Sequence, residues 1–262
     1  MSGNTLINHL RIPAGIALLF LAGCTTAPQN TAHQHSTIDA LLAGVYDGSL
    51  TLKELSSHGN FGIGTFDKLD GEMMMVDNRI YQIKSDGKVY TPDLSLTTPF
   101  ATVCQFNPEQ NFGIRPSSSF NDLKTKISAF TDNPNLFYAI RIEGQFKTMH
   151  TRSVPAQTKP YPTLKTVADN QPEFHMKDIK GTIVGFRCPQ YVQGINVPGY
   201  HLHFLSHDKT RGGHILDFEV ISGICKIDML DRYTLTLPSK TEGFAGTDLS
   251  IDRSKELESV EK

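Results

Sequence analysis

Between Gly181 and Pro238 the chain places five strand-like runs one after another: GTIVGFRC, GYHLHFLS, GHILDFEV, ICKIDML and RYTLTLP. Each is short, rich in β-branched and aromatic residues, and separated from the next by ten residues at most. Gaps this small leave no room for the dozen or more residues of a helical crossover, so the runs must pair largely as antiparallel neighbours. This half of the chain is therefore a sheet unit. With 262 residues, 39% of them hydrophobic and 20% charged, the chain has the composition of a folded domain able to bury a core.

The preceding half mixes elements. TIDALLAGV and TLKELSSHG read as short amphipathic helices, the first stopped by Asp47-Gly48 and the second by Gly59. GEMMMVD and RIYQIKS are strand-like and joined by Asp77-Asn78, and TPFATVCQF follows as a further strand. SFNDLKTKISAF spaces Leu123, Ile127 and Phe130 as a helix behind a Ser119 cap. LFYAIRIEG and FKTMHTRSV predict a hairpin across Gly144, and the Pro-rich VPAQTKPYP marks a boundary, followed by a short helix in TLKTVAD. The reading is an α+β protein of two mixed or antiparallel sheet domains: 37–154, and a β-rich 155–240 that binds metal. Residues 241–262 form a polar tail, a final helix or a frayed end.

The N-terminus differs in kind. LRIPAGIALLFLAGC carries Arg11, then an apolar run ending in small residues, the pattern of a signal peptide over residues 1–23 and too short to span a bilayer. Leu21, Ala22, Gly23 and Cys24 match the bacterial lipobox, which predicts cleavage before Cys24 and its lipidation. The membrane is then met only through that anchor, at the cell envelope on the periplasmic side, with a soluble secreted form as the alternative. Residues 24–36, small and polar, read as a tether, with His33 and His35 inside it. Of the remaining thiols Cys104, Cys188 and Cys225, a Cys188–Cys225 bridge is open in an oxidising compartment. A net charge of −2 without a basic, aromatic-laced stretch excludes a nucleic-acid footprint.

The chemistry gathers in GYHLHFLSHDKTRGGH. Successive strand residues alternate faces, so His201 and His203 project together, about 6–7 Å apart. If the next run returns so that Leu205 faces His214, then His214 lies diagonal to His203 on the same face, and three imidazoles share one ion. Three protein ligands with an open fourth position describe a catalytic zinc site, although other divalent ions accept the same donors. His207 sits in the loop and is read as a bystander.

LDGEMMMVDNRIYQIKSDGKVY, TPFATV, FYAIRIEGQFKTMHTRSVP and VPGYHLHFLSHDKTRGGHILDFEV, in that order, resemble the α-acetolactate decarboxylases, from about Leu41 to Leu237. The resemblance implies a two-domain α+β homodimer that converts 2-acetolactate to acetoin and CO₂ on a metal held by His201, His203 and His214. The metal would stabilise the enediolate left by CO₂ loss. It implies that Arg152 holds the substrate carboxylate, that Glu72 delivers the proton, and that Thr65 hydrogen-bonds the substrate. A tail glutamate reaching the site matches Glu261 best and Glu258 next. Two other readings are a cupin-like metal oxygenase, for which a glutamate is missing among Leu205, Ser206, His207 and Asp208, and a non-enzymatic lipoprotein that binds a metal or small ligand.

Overall fold

Asp77 and Asn78 adopt left-handed backbone, φ 52° and 62°, the geometry of a two-residue hairpin turn. They join the strands Glu72–Val76 and Arg79–Ile83, as their sequence predicts. In the computed structural model, Met1 and residues 29–115 and 118–261 are described. The signal peptide expected over residues 1–23 and the lipidation expected at Cys24 lie, Met1 apart, outside the described residues.

The first part of the chain contributes β1 (Thr31–His35), α1 (Ile38–Leu42), β2 (Leu50–Thr51), α2 (Leu52–Leu55) and β3 (Phe61–Thr65). It continues with β4 (Glu72–Val76), β5 (Arg79–Ile83), β6 (Val89–Tyr90), β7 (Thr97–Thr98) and β8 (Ala101–Cys104). Next come β9 (Gln110–Ile114), β10 (Ser118–Ser119), α3 (Phe120–Ser128), β11 (Phe137–Arg152) and α4 (Leu164–Ala168). The chain ends in β12 (Glu173–Cys188), β13 (Gly199–Ser206), β14 (Gly212–Leu230), β15 (Arg232–Thr236), α5 (Glu242–Ala245) and α6 (Ser254–Val260). The fold is α+β, with most of the chain in sheets and a few short helices.

One sheet has the order β15-β1-β8-β3-β4-β5-β6, and a second has β10-β14-β11-β12-β13 with β9 also on β14. In the second, β13 pairs with both β12 and β14, while β11 pairs with the same two strands. The four strands thereby close a ring. The two sheets meet through a shared apolar layer: Phe61, Ile63 and Met74 from the first against Val184, Phe186 and Leu205 from the second. That contact lays β3 against β12 and β4 against β12 and β13, next to the strands that carry the histidines.

Five expectations are corrected. The runs GHILDFEV and ICKIDML are not two strands but one, β14, which continues through Ile221, Ser222 and Gly223. Residues 31–35 are not a tether but β1, parallel to β15 and antiparallel to β8. The predicted hairpin across Gly144 is one continuous strand, β11; Gly144 stands in register with Gly181 and Gly223 on either side. A Cβ at Gly144 would fall 2.4 Å from the Ser222 carbonyl oxygen, so the glycine allows close approach of strands and does not turn the chain. The division at 154/155 also fails, because β9, β10, α3 and β11 belong to the second sheet and β15 to the first. Cys188 and Cys225 are free thiols buried in different core clusters, so no bridge joins them.

Helix α3 has the predicted Ser119 cap, completed as a capping box by Asp122. The tail forms α6, and Leu257 and Val260, one helical turn apart, bury against Ile38, Leu41, Leu164 and Val167 of α1 and α4. Burial of two such side chains, about 2 kcal/mol each, opposes the fraying expected of a chain end.

Candidate metal centre and active site

His203 and His214 are direct cross-strand partners on β13 and β14, with Leu205 opposite Gly212. The expected pairing of Leu205 with His214 is thus off by two residues. A shift of two preserves the face, and direct opposition brings the rings closer than the diagonal would. Ring centroids are 5.2 Å apart for His201 and His203, 4.9 Å for His201 and His214, and 5.4 Å for His203 and His214. One ring nitrogen from each lies within 4.8 Å of the others.

The electronic state of the triad suits a cation. The His203 Nδ1–H donates to the Met73 carbonyl at 2.9 Å, which leaves Nε2 as a lone pair, buried and without a partner. A histidine whose far nitrogen is anchored in this way is oriented as a metal ligand. Burial, together with the nearby Arg152 cation, lowers His201 to about 3, and burial likewise holds His203 and His214 well below the usual range. Three neutral imidazoles aimed at one point are a fitting donor set for a divalent transition metal.

Carboxylates approach from two other directions. Glu72 opens β4 opposite Thr65, the last residue of β3, and its Oε2 is 3.6 Å from His203 Nε2. Glu261 directly follows α6; its Oε2 is 3.6 Å from His214 Nε2 and its Oε1 is 3.9 Å from Arg152 Nη2. Burial raises both carboxyls to about 7, against the opposing pull of Arg152, and Glu72 also accepts a hydrogen bond from the Val154 backbone. Arg152 ends β11 in register with His214, 5% exposed, and its Nε–H finds no acceptor. The Thr65 hydroxyl donates to the Gly71 carbonyl at 2.7 Å, so toward a ligand it can serve as an acceptor.

These groups, apart from the fully buried His203, line one cavity of about 40 Å³ with an apolar wall that includes Ile38, Leu41, Phe100, Val154, Leu164 and Val260. Glu261 also borders a second cleft, shared with Glu258 and Tyr200, so the last turn of α6 stands between the cavity and that cleft. Every predicted site residue, Thr65, Glu72, Arg152, His201, His203, His214 and Glu261, therefore meets at one place. His207 is exposed in the turn, apart from the triad. Glu258 borders the outer cleft and does not line the cavity. Asp208 turns inward on its own loop, accepting from Ser206 and Thr210, so no carboxylate of the cupin kind is supplied from within the hairpin.

Sequence reasoning missed the Met73 carbonyl, the Val154 amide and the apolar wall. Backbone groups carry no signature in a sequence, and the wall combines α1, α4 and α6 with Phe100 and Val154 from connecting segments, whose mutual packing no local pattern encodes.

The family model of alpha-acetolactate decarboxylase matches residues 32–251. A relative from Methanosarcina mazei named alpha-acetolactate decarboxylase is 44% identical over 230 residues, 88% of this chain and 80% of its own. One of the same name from Brevibacillus brevis is 37% identical over 98% of this chain and 96% of its own. The crystal structure of alpha-acetolactate decarboxylase from Bacillus subtilis superposes with a TM-score of 0.86 at 38% identity, covering 88% of this chain and 99% of that one. Agreement in sequence over most of both chains, and in fold around a cavity that gathers the predicted residues, leads to one conclusion: the chain belongs to the alpha-acetolactate decarboxylase family.

Proposed function

We propose that this chain decarboxylates 2-acetolactate to acetoin and CO₂ at the cavity, with His201, His203 and His214 as ligands of a divalent metal, Zn²⁺ by frequency of such sites. The observation that carries the reading is Arg152, a buried cation with an unanswered N–H beside three neutral imidazoles. A buried guanidinium calls for an anion, and a substrate carboxylate answers with the planar geometry the fork prefers. When bound, the metal supplies Lewis-acid stabilisation of negative charge on the substrate's ketone and hydroxyl oxygens.

The protein groups account for the remaining steps. Arg152 orients the carboxylate, and its departure as CO₂ leaves an electron pair delocalised as an enediolate. Protonation at the former carboxyl-bearing carbon then yields acetoin. Glu72 sits at the mouth of the β3–β4 pair with a carboxyl raised by burial to about 7, so that near neutral pH it can both hold the proton and deliver it. Thr65, opposite Glu72, is assigned a hydrogen bond to the substrate. Glu261 joins Arg152 to His214 and closes the cavity with Val260.

Purified chain supplied with racemic 2-acetolactate should release CO₂ and form acetoin, lose this with a strong chelator, and regain it with zinc. Oxygen uptake in place of acetoin would favour an oxygenase instead. Export as a lipoprotein anchored at Cys24 is part of the same proposal; its support is the lipobox, and lipid labelling that persists in Cys24→Ala would overturn it. A homodimer is also proposed. Exposure of Tyr90, Leu94 and Leu96 within seven residues supports an apolar contact there, and light scattering at the monomer mass would contradict it.

A further inference from the structure

Outside the cavity, the described residues contain a second convergence of metal-ligating side chains. His150 on β11 and His175 on β12 are direct cross-strand partners, and their rings stack with centroids 4.0 Å apart and planes 20° from parallel. Glu173 lies two residues before His175, on the same face of β12 by strand alternation, and its Oε2 is 2.8 Å from His150 Nε2. One ligand atom from each of the three falls within 4.8 Å of the others. His150 is half-buried, while Glu173 and His175 are exposed.

We propose that His150, Glu173 and His175 form a second site for a divalent transition-metal ion, separate from the histidine triad of the cavity. The donor set selects the class. Two imidazoles and one carboxylate suit Zn²⁺, Cu²⁺, Ni²⁺ or Co²⁺, whereas Ca²⁺ and Mg²⁺ demand oxygen cages that this patch lacks. Metal bonds of about 2.1 Å hold tetrahedral ligand atoms roughly 3.4 Å apart, so the Glu173–His150 contact at 2.8 Å opens slightly on binding while any wider pair, none beyond 4.8 Å, closes. Side-chain rotation at an accessible strand pair provides this without moving the ladder. The fourth position faces solvent, where water completes the shell. Glu173 stands in register with Arg152, so an ion here ties β11 to β12 at the pair that carries the cavity's arginine.

The test is metal stoichiometry on untagged protein, by equilibrium dialysis against zinc followed by elemental analysis. Wild type should hold two equivalents, His175→Ala one, His203→Ala one, and the double variant none. In a parallel thermal melt, added zinc should raise the Tm of His203→Ala but not of the double variant. A single equivalent in wild type would overturn the proposal, as would a second equivalent that survives both His175→Ala and His150→Ala. Because His175→Ala leaves every cavity residue in place, failure here would not touch the decarboxylase reading, and acetoin formation by that variant should match wild type.

Discussion

Leu257 holds the last helix down, and its truncation should act on catalysis through Glu261. The side chain is 6% exposed, buried with Val260 against α1 and α4. Leu257→Ala removes about 2–3 kcal/mol of burial, which weakens docking of α6 by roughly 30- to 150-fold at 1.4 kcal/mol per tenfold. The helix has seven residues, and ordering them costs on the order of 1–2 kcal/mol each, so docking has little margin to lose. The consequence is an undocked tail with Glu261 withdrawn from Arg152 and His214. Turnover of Leu257→Ala should therefore fall to the level of Glu261→Gln, and the double variant should lose no more than either alone. Steady-state acetoin formation across this double-mutant cycle reads the coupling directly. Losses that multiply in the double variant, or full activity in Leu257→Ala, would refute the claim that the helix works by placing Glu261.

Other substitutions separate the remaining roles. Glu72→Gln should keep its full metal content and lose about 10²- to 10⁴-fold in kcat, the usual range for a general acid, as read by acetoin assay beside elemental analysis. Arg152→Lys keeps the charge but not the fork, so kcat/KM should fall about 10- to 100-fold from the loss of charge-assisted hydrogen bonds. Asp228 gives a stability prediction away from the site. It is fully buried, with Oδ2 accepting from the Asn107 backbone and Oδ1 unpartnered, and burial raises it to about 6 from 3.8. A carboxyl raised on folding binds its proton more tightly in the native state, so this group's contribution falls as pH rises from about 4 to 6. Asp228→Asn should accordingly be more stable than wild type at pH 7, by about 1–3 kcal/mol, with the gap closing near pH 4. Equilibrium denaturation at the two pH values checks this, and an equal gap at both would contradict it.

Sequence reading reached the site more fully than the fold, for physical reasons. The spacing of His201 and His203 survives any register because strand alternation is local, and Asp77-Asn78 specifies its turn through left-handed backbone that few residue pairs tolerate. Strand β1 is hidden in the sequence because its interior positions offer little apolar surface: Ala32 is small, and Gln34 is polar, buried and satisfied. Its amide donates to the Ser36 and Ile195 carbonyls, and its oxygen accepts from Asn196 and Tyr233. All of those partners except Ser36 are remote in sequence, so a polar strand in a core resembles a linker. The β11 error has the same origin, since Gly144 is explained only by Gly181 and Gly223 on neighbouring strands. Glu72, Arg152 and Glu261 carry no local signal of their function and were reached through family resemblance. The long-range packing of two sheets and a terminal helix is what brings them to the histidines.

The proposed metal of the histidine triad and the decarboxylation of 2-acetolactate share one cavity. Acetoin formation and metal content measured together in wild type and His203→Ala test it most directly. His203→Ala, still folded, should lose the cavity's metal equivalent and acetoin formation together. Undiminished acetoin formation by His203→Ala, or none by metal-replete wild type, would contradict it.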